Sequence, residues 1–122
     1  MSESQPTVSL VVPVYNEVEN VGPLVDAIDA ALASRSYELL LVNDGSTDGS
    51  GDALDALAMD SSHIRVIHFV RNYGQTAALT AGIRHSTAPI IVTLDADLQN
   101  DPADIPGMLE HLGEADVVCG WR

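Results

Sequence analysis

Pro89-Ile90-Ile91-Val92-Thr93-Leu94-Asp95-Ala96-Asp97-Leu98-Gln99 is the stretch on which the fold turns. An unbroken run of apolar and β-branched residues, the pattern of a strand covered on both faces, passes directly into two carboxylates and an amide. If the extended backbone continues past Leu94, period-two alternation puts Asp95, Asp97 and Gln99 on one side. These are hard oxygen ligands with no imidazole or thiolate nearby, a set that suits Mg²⁺ or Mn²⁺ better than zinc. A cation held by so few protein oxygens keeps positions open for phosphate oxygens.

Working outward, Val8–Tyr15, Tyr37–Asp44, Ile64–Val70 and Asp116–Gly120 have the same character, and with Pro89–Asp95 they predict five strands. The segments between them have helical period. Val21, Leu24, Val25, Ile28 and Leu32 fall on one helix face, with Asn20 as the expected N-cap and Pro23 in the tolerant first turn. Ser50–Ala58 predicts a second helix with Leu54, Leu57 and Ala58 inward. Gln75–His85 predicts a third, where Gly82 permits close packing, and Ile105, Met108, Leu109 and Leu112 mark a fourth, capped by Asp101 or Asp104. Buried strands each followed by a helix give an α/β fold, a Rossmann-like, mostly parallel sheet flanked by helices.

In such sheets ligands bind outside the carboxyl ends of the strands, and the polar clusters of this chain sit there. Tyr15-Asn16-Glu17 follows the first strand, Asn43–Asp48 the second, Arg71-Asn72-Tyr73 the third and Asp95–Gln99 the fourth; Arg122 follows the fifth. The Gly-x-Gly-x-x-Gly of a dinucleotide site is absent after the first strand, so a bound phosphate requires a cation.

Composition narrows the function further. With 122 residues this is one domain, large enough for a core, and its aromatic fraction of 4% leaves that core to Val, Ile, Leu and Ala. Eighteen acidic against five basic residues, a net charge of −13, exclude general nucleic-acid binding and contact of this segment with an anionic membrane. The single Cys119 forms no intrachain disulfide and reads as a small buried hydrophobe, consistent with a reducing cytoplasm. The first residues have no basic or apolar signal-peptide character, and no apolar run approaches a membrane span. The segment is therefore expected to be soluble, with residues 1–7 a disordered tail.

Each cluster has a plainer reading. Asn43–Gly49 is turn chemistry with Asp48 as a helix cap; its match to an EF-hand loop fails because it follows a strand and Gly51 takes an apolar position. The functional reading has Asp44 accept hydrogen bonds from a nucleobase or ribose. A strand ending in Asp-x-Asp also resembles the haloacid-dehalogenase phosphatases. Those carry a hydroxyl residue where Gln99 stands and place the motif near the chain start, so that resemblance is set aside. The four histidines show no ligand-like spacing and read as surface or packing residues. Arg71 and Arg122 are candidates for diphosphate neutralisation, with a surface role as the alternative.

Together Val11–Glu17, Val42–Asp48, Arg71–Gln75 and Leu94–Asn100 resemble glycosyltransferase family 2, the GT-A nucleotide-sugar transferases, in order and spacing. The Asp-Ala-Asp-Leu-Gln form and Val118–Arg122 resemble its polyprenyl- and dolichyl-phosphate sugar transferase branch. The resemblance implies that Pro13, Tyr15, Glu17, Val42 and Asp44 line the base and ribose, that Asp95 and Ala96 contact the donor, and that Asp97 and Gln99 hold Mg²⁺ or Mn²⁺ beside Asp95. Asp95 and Asp97 are the catalytic candidates, and Arg122 matches an arginine that approaches the donor diphosphate. Residues 8–122 are then the nucleotide-binding half of a GT-A domain, lacking the acceptor-binding half. The expected reaction is inverting transfer from a UDP- or GDP-sugar to a lipid phosphate at the cytoplasmic face of a membrane, with this segment alone inactive. A soluble or polysaccharide acceptor, or a non-catalytic nucleotide- or calcium-binding module, are the alternatives. Faces that would meet the rest of the protein leave homo-oligomerisation open.

Overall fold

The computed structural model describes residues 6–96, 103, 105–110 and 117–119. Five parallel strands, β1 (Val8–Val14), β2 (Tyr37–Asn43), β3 (Ile64–His68), β4 (Ile90–Thr93) and β5 (Val117–Cys119), form one sheet in the order β3-β2-β1-β4-β5. The helices α1 (Val21–Ala31), α2 (Ser50–Asp60), α3 (Gln75–His85) and α4 (Ile105–Glu110) alternate with them. The predicted elements are all present. The third strand stops at His68, two residues short of expectation, and Val70 is 91% exposed beyond it.

Alternation divides the sheet into two faces. Leu10, Val12 and Val14 of β1 with Leu39 and Leu41 of β2 pack against Leu24, Val25 and Ile28 of α1 and Leu54 of α2 in one continuous core. Val11, Leu40 and Val42 point the other way and are covered by α3, whose inner residues Ala78 and Gly82 are small. A Cβ on Gly82 would lie 2.3 Å from Val11 Cγ1, so glycine is what brings this helix onto the sheet.

The chain winds outward from β1 through β2 to β3, then crosses back by α3 to place β4 on the other side of β1. The order reverses between β1 and β4, and the loops leaving those strands diverge to open a crevice there. No helix among the described residues is long and apolar enough to cross a membrane.

Candidate functional site

The loop after β1 is built onto the loop after β2. Asn16 adopts a left-handed backbone (φ 55°), tolerable for Asn because its short amide bonds locally. Its N–H donates to Ser46 Oγ (3.0 Å), and its Oδ1 accepts from the Thr47 N–H (2.8 Å). Next, the Glu17 N–H donates to Ser50 Oγ (3.0 Å) and the Val18 N–H to Asp48 Oδ2 (3.2 Å). Asp48 Oδ1 also accepts from the Ser50 hydroxyl (2.6 Å) and N–H (2.9 Å), so Asp48 does cap α2, from one residue outside Gly49. The Ser50 hydroxyl is the main cause holding the Asp48 carboxyl below its ordinary range. Asn20 stands at the start of α1, but its side chain does not cap it. A turn closed by the Glu17 carbonyl already satisfies the Asn20 and Val21 N–H groups, and the Asn20 amide turns instead to Glu17 Oε1 (2.6 Å).

Asp44 organises the next loop. Its carboxylate is buried (3% exposed) and accepts from the Tyr73 N–H (2.7 Å), the Gly74 N–H (3.0 Å) and Asn72 Nδ2 (3.1 Å). These three donors fix the orientation of the carboxylate. Gly45 (φ 74°) lets the two loops touch: a Cβ there would sit 2.2 Å from the Arg71 carbonyl carbon and 2.4 Å from the Asn72 nitrogen. Asn43, just before, accepts from the Ser46 N–H (2.9 Å) and turns its Nδ2 to His68 Nδ1 (3.1 Å), whose Nε2 meets Asp55 (2.8 Å).

These loops enclose a cleft of ≈ 480 Å³ over the β1–β4 switch point. Pro13, Tyr15 and Glu17 line it from β1, Asp44 from β2, and Asp95 and Ala96 from β4. Asn72, Gly74 and Gln75 close the side at the start of α3, and Gln75 Nε2 donates to Asp95 Oδ1 (3.0 Å). Three carboxylates line the cleft, and among the described residues no Lys or Arg does. Arg71 is turned away, its guanidinium 5.0 Å from the centre of the Tyr73 ring. An acidic cleft lined by oxygen donors attracts cations and repels an anion that brings no counter-charge.

Six of the sequence candidates therefore meet in one place: Pro13, Tyr15, Glu17, Asp44, Asp95 and Ala96. Val42 is fully buried beside Pro13 in the sheet and does not line the cleft. Asp97, Gln99 and Arg122 lie outside the described residues, as do the proposed caps Asp101 and Asp104. Among the described residues no three His, Cys, Asp or Glu side chains form a cation cage. The sequence put Asn72 at the ligand edge and Arg71–Gln75 among the family-like motifs, but gave Asn72, Gly74 and Gln75 no role of their own. Their signal was their place after β3, but only the crossover to β4 shows that this loop faces Asp95.

The family model of glycosyl transferase family 2 matches residues 9–122. The chain belongs to that family. Among curated family relatives, it is 46% identical over 119 residues to dodecaprenyl-phosphate galacturonate synthase of Rhizobium johnstonii, covering 93% of this chain and 35% of the relative. It is 45% identical over 116 residues to undecaprenyl-phosphate 4-deoxy-4-formamido-L-arabinose transferase of Klebsiella pneumoniae, covering 93% and 36%. The chain thus spans about a third of the length of the curated relatives it matches. Among solved structures it is similar to the mannosyltransferase PcManGT of Pyrobaculum calidifontis in complex with GDP-Man and Mn²⁺ (28% identity, TM-score 0.71), covering 83% of this chain and 30% of that one. It also shares the fold of S. aureus TarS 1-349 (17% identity, TM-score 0.74), covering 88% and 32%. The parallel sheet with its flanking helices is that of the GT-A glycosyltransferases.

Proposed function

We propose that this chain is the donor-binding part of an inverting glycosyltransferase that moves a sugar from a UDP- or GDP-sugar to a polyprenyl phosphate. The observation that carries the reading is the acidic cleft at the β1–β4 switch point, where the loops after β1, β2 and β4 converge without a basic lining residue among those described. The acceptor class follows the curated relatives, whose names specify dodecaprenyl and undecaprenyl phosphate. PcManGT, in complex with GDP-Man and Mn²⁺, supports a nucleotide-sugar and a divalent cation in the same fold.

In this reading Pro13, Tyr15, Glu17 and Asp44 serve the base and ribose end, Asp44 by holding the Tyr73–Gly74 backbone against it, while the buried Val42 only backs them in the sheet. Asp95 and Ala96 face the sugar diphosphate, and Asp97 and Gln99 would hold Mg²⁺ or Mn²⁺ with Asp95. The cation supplies Lewis-acid stabilisation of the departing nucleoside diphosphate. Arg122 adds a positive charge toward the same diphosphate. A lipid phosphate is already anionic near neutral pH, so it needs placement beside the sugar C1 more than a strong base. Residues 1–122 alone are expected to bind donor and not to transfer it, the full-length protein acting at the cytoplasmic face of the membrane.

Calorimetric titration of the chain with UDP and with GDP, each with and without Mn²⁺, tests the reading. Binding of one nucleotide is expected only with Mn²⁺, and is expected to vanish in Asp95→Asn and Asp97→Asn while the fold persists. Micromolar Ca²⁺ binding with no nucleotide affinity would instead identify a calcium-binding module.

A further inference from the structure

We infer that Gln75 is a positioning residue of the donor site, a neutral clamp that orients the Asp95 carboxylate without cancelling its charge. The inference rests on the donor-site reading above and deepens it. Gln75 is the first residue of α3 and Asp95 follows β4, so their contact joins the two elements that the reversal of strand order brings together. Both line the cleft, and Gln75 Nε2 donates to Asp95 Oδ1 at 3.0 Å.

The terminal torsion of an Asp carboxylate is broad, so an untethered Asp95 would present its oxygens to the cleft in many orientations. A donor on Oδ1 fixes the carboxylate plane and leaves Oδ2 to a cation. Lys or Arg would fix it equally well, but would pair the charge and repel the cation. Gln is long enough to reach from the helix start and is uncharged. The clamp therefore removes ordering cost from binding while preserving the attraction that drives it.

Gln75 is itself held from behind. Gly74 takes φ 103°, a conformation that disfavours any side chain, and its N–H is fixed by the buried Asp44 carboxylate. The Tyr73 N–H is fixed by the same group. Asp44 at one end of the cleft thus sets the backbone from which Gln75 reaches Asp95 at the other, two residues that strand assignment alone leaves unrelated.

Titration of wild type, Gln75→Met and Gln75→Lys with UDP and GDP, in Mn²⁺ and in EDTA, beside thermal melting of each, tests the inference. Gln75 is exposed at a helix start, so both variants are expected to keep the wild-type melting temperature. Gln75→Met, which keeps length and loses the donor, is expected to weaken Mn²⁺-dependent nucleotide binding about tenfold, the loss of one hydrogen bond to a charged group. Gln75→Lys is expected to shrink the ratio of affinities with and without Mn²⁺, because its ammonium replaces the need for the cation. Wild-type affinity in Gln75→Met overturns the inference, as does a loss matched by a fall in melting temperature or an unchanged Mn²⁺ ratio in Gln75→Lys. Failure of wild type to bind either nucleotide with Mn²⁺ overturns the donor-site reading, and the clamp with it.

Discussion

The two ends of the sheet solve the same problem of holding acidic side chains in opposite ways. At the amino ends of the strands, Glu38 is buried and accepts from Ser9 Oγ (2.5 Å), the Thr87 N–H (2.7 Å) and hydroxyl (3.0 Å), and Arg65 Nη1 (3.0 Å). Arg65 also donates to the His85 carbonyl (2.9 Å), so the group closes α3 onto the sheet with a cation built in. Nearby, the Tyr37 hydroxyl bonds Asp29, and His63 Nε2 lies 3.0 Å from the same carboxylate. Burial and that Asp29 contact push the Tyr37 hydroxyl above its ordinary range. At the carboxyl ends, the donors to Asp44, Glu17 and Asp95 among the described residues are all neutral. Hydrogen bonding is comparable at the two ends, but charge compensation is not. A carboxylate cluster supplied with its own arginine is finished as structure, whereas one held by amides and backbone N–H groups retains a field for a cation.

The largest expected effect breaks the open end. Gly45→Ala would force a Cβ into the backbone at Arg71 and Asn72 while imposing a left-handed φ on alanine. Overpacking and backbone strain together predict a loss of about 3 kcal/mol of stability. Because the displaced backbone is the one Asp44 holds, Mn²⁺-dependent nucleotide binding is expected to disappear in the protein that remains folded. Denaturant unfolding and calorimetry on the same preparation check both, and wild-type nucleotide affinity would refute the link between loop contact and site.

The closed end should fail differently. Glu38→Ala strips the acceptor from Ser9, Thr87 and Arg65, and a cost of about 2 kcal/mol is expected, reduced because the half-exposed Arg65 can rehydrate. Nucleotide affinity of the folded fraction is expected to stay at the wild-type value, since no partner of Glu38 lines the cleft. The same group predicts a pH dependence. Burial alone would raise the Glu38 carboxyl, but the bonds from Ser9, Thr87 and Arg65 outweigh it and hold it below its ordinary range. A carboxyl lowered in the folded state contributes stability that is full above its unfolded value and is lost as pH falls through the folded one. Wild type is thus expected to lose stability below about pH 4.5, and Glu38→Gln to flatten that limb; identical acid limbs in chemical denaturation would show that Glu38 does not supply it.

Much of this contrast was legible in the sequence at the open end and almost none at the closed one. Strand ends in an α/β fold announce their polar residues, so Tyr15, Glu17, Asp44 and Asp95 could be placed on one edge from hydrophobic runs alone. Val21, Leu24, Val25 and Ile28 announced α1 by spacing, and Gly82 its close approach. The partners of Asp44 and Asp95 could not be read, because they depend on which loop the reversed strand order brings alongside. Glu38 gave no signal: its partners stand 29, 27 and 49 residues away and become neighbours only through the pairing of β1 with β2 and β4 and of β2 with β3. Asn20 misled for a local reason: of the two N–H groups a cap there could serve, those of residues 22 and 23, Pro23 has none, and the Asn20 amide bonds Glu17 instead.

The smallest expected effect sharpens the comparison from within the open end. Asp48 is exposed, and its carboxyl is lowered first by the Ser50 hydroxyl, then by the Ser50 and Val18 N–H groups. Lowered like that of Glu38, it too contributes stability above its unfolded pKa and loses it as pH falls. Asp48→Asn should therefore weaken the acid limb in the same direction as Glu38→Gln but by less, because water competes for an exposed carboxylate. It should also loosen the Tyr15–Val18 loop, whose Val18 N–H it anchors, and so slightly weaken nucleotide binding, which Glu38→Gln leaves intact. Amide hydrogen exchange distinguishes the two: faster exchange at Val18 and Ser50 in Asp48→Asn, and at Thr87 in Glu38→Gln. If Asp48→Asn left exchange at Val18 unchanged, the β1 loop would be held by its bonds to Ser46, Thr47 and Ser50, and its shape would owe nothing to the Asp48 charge.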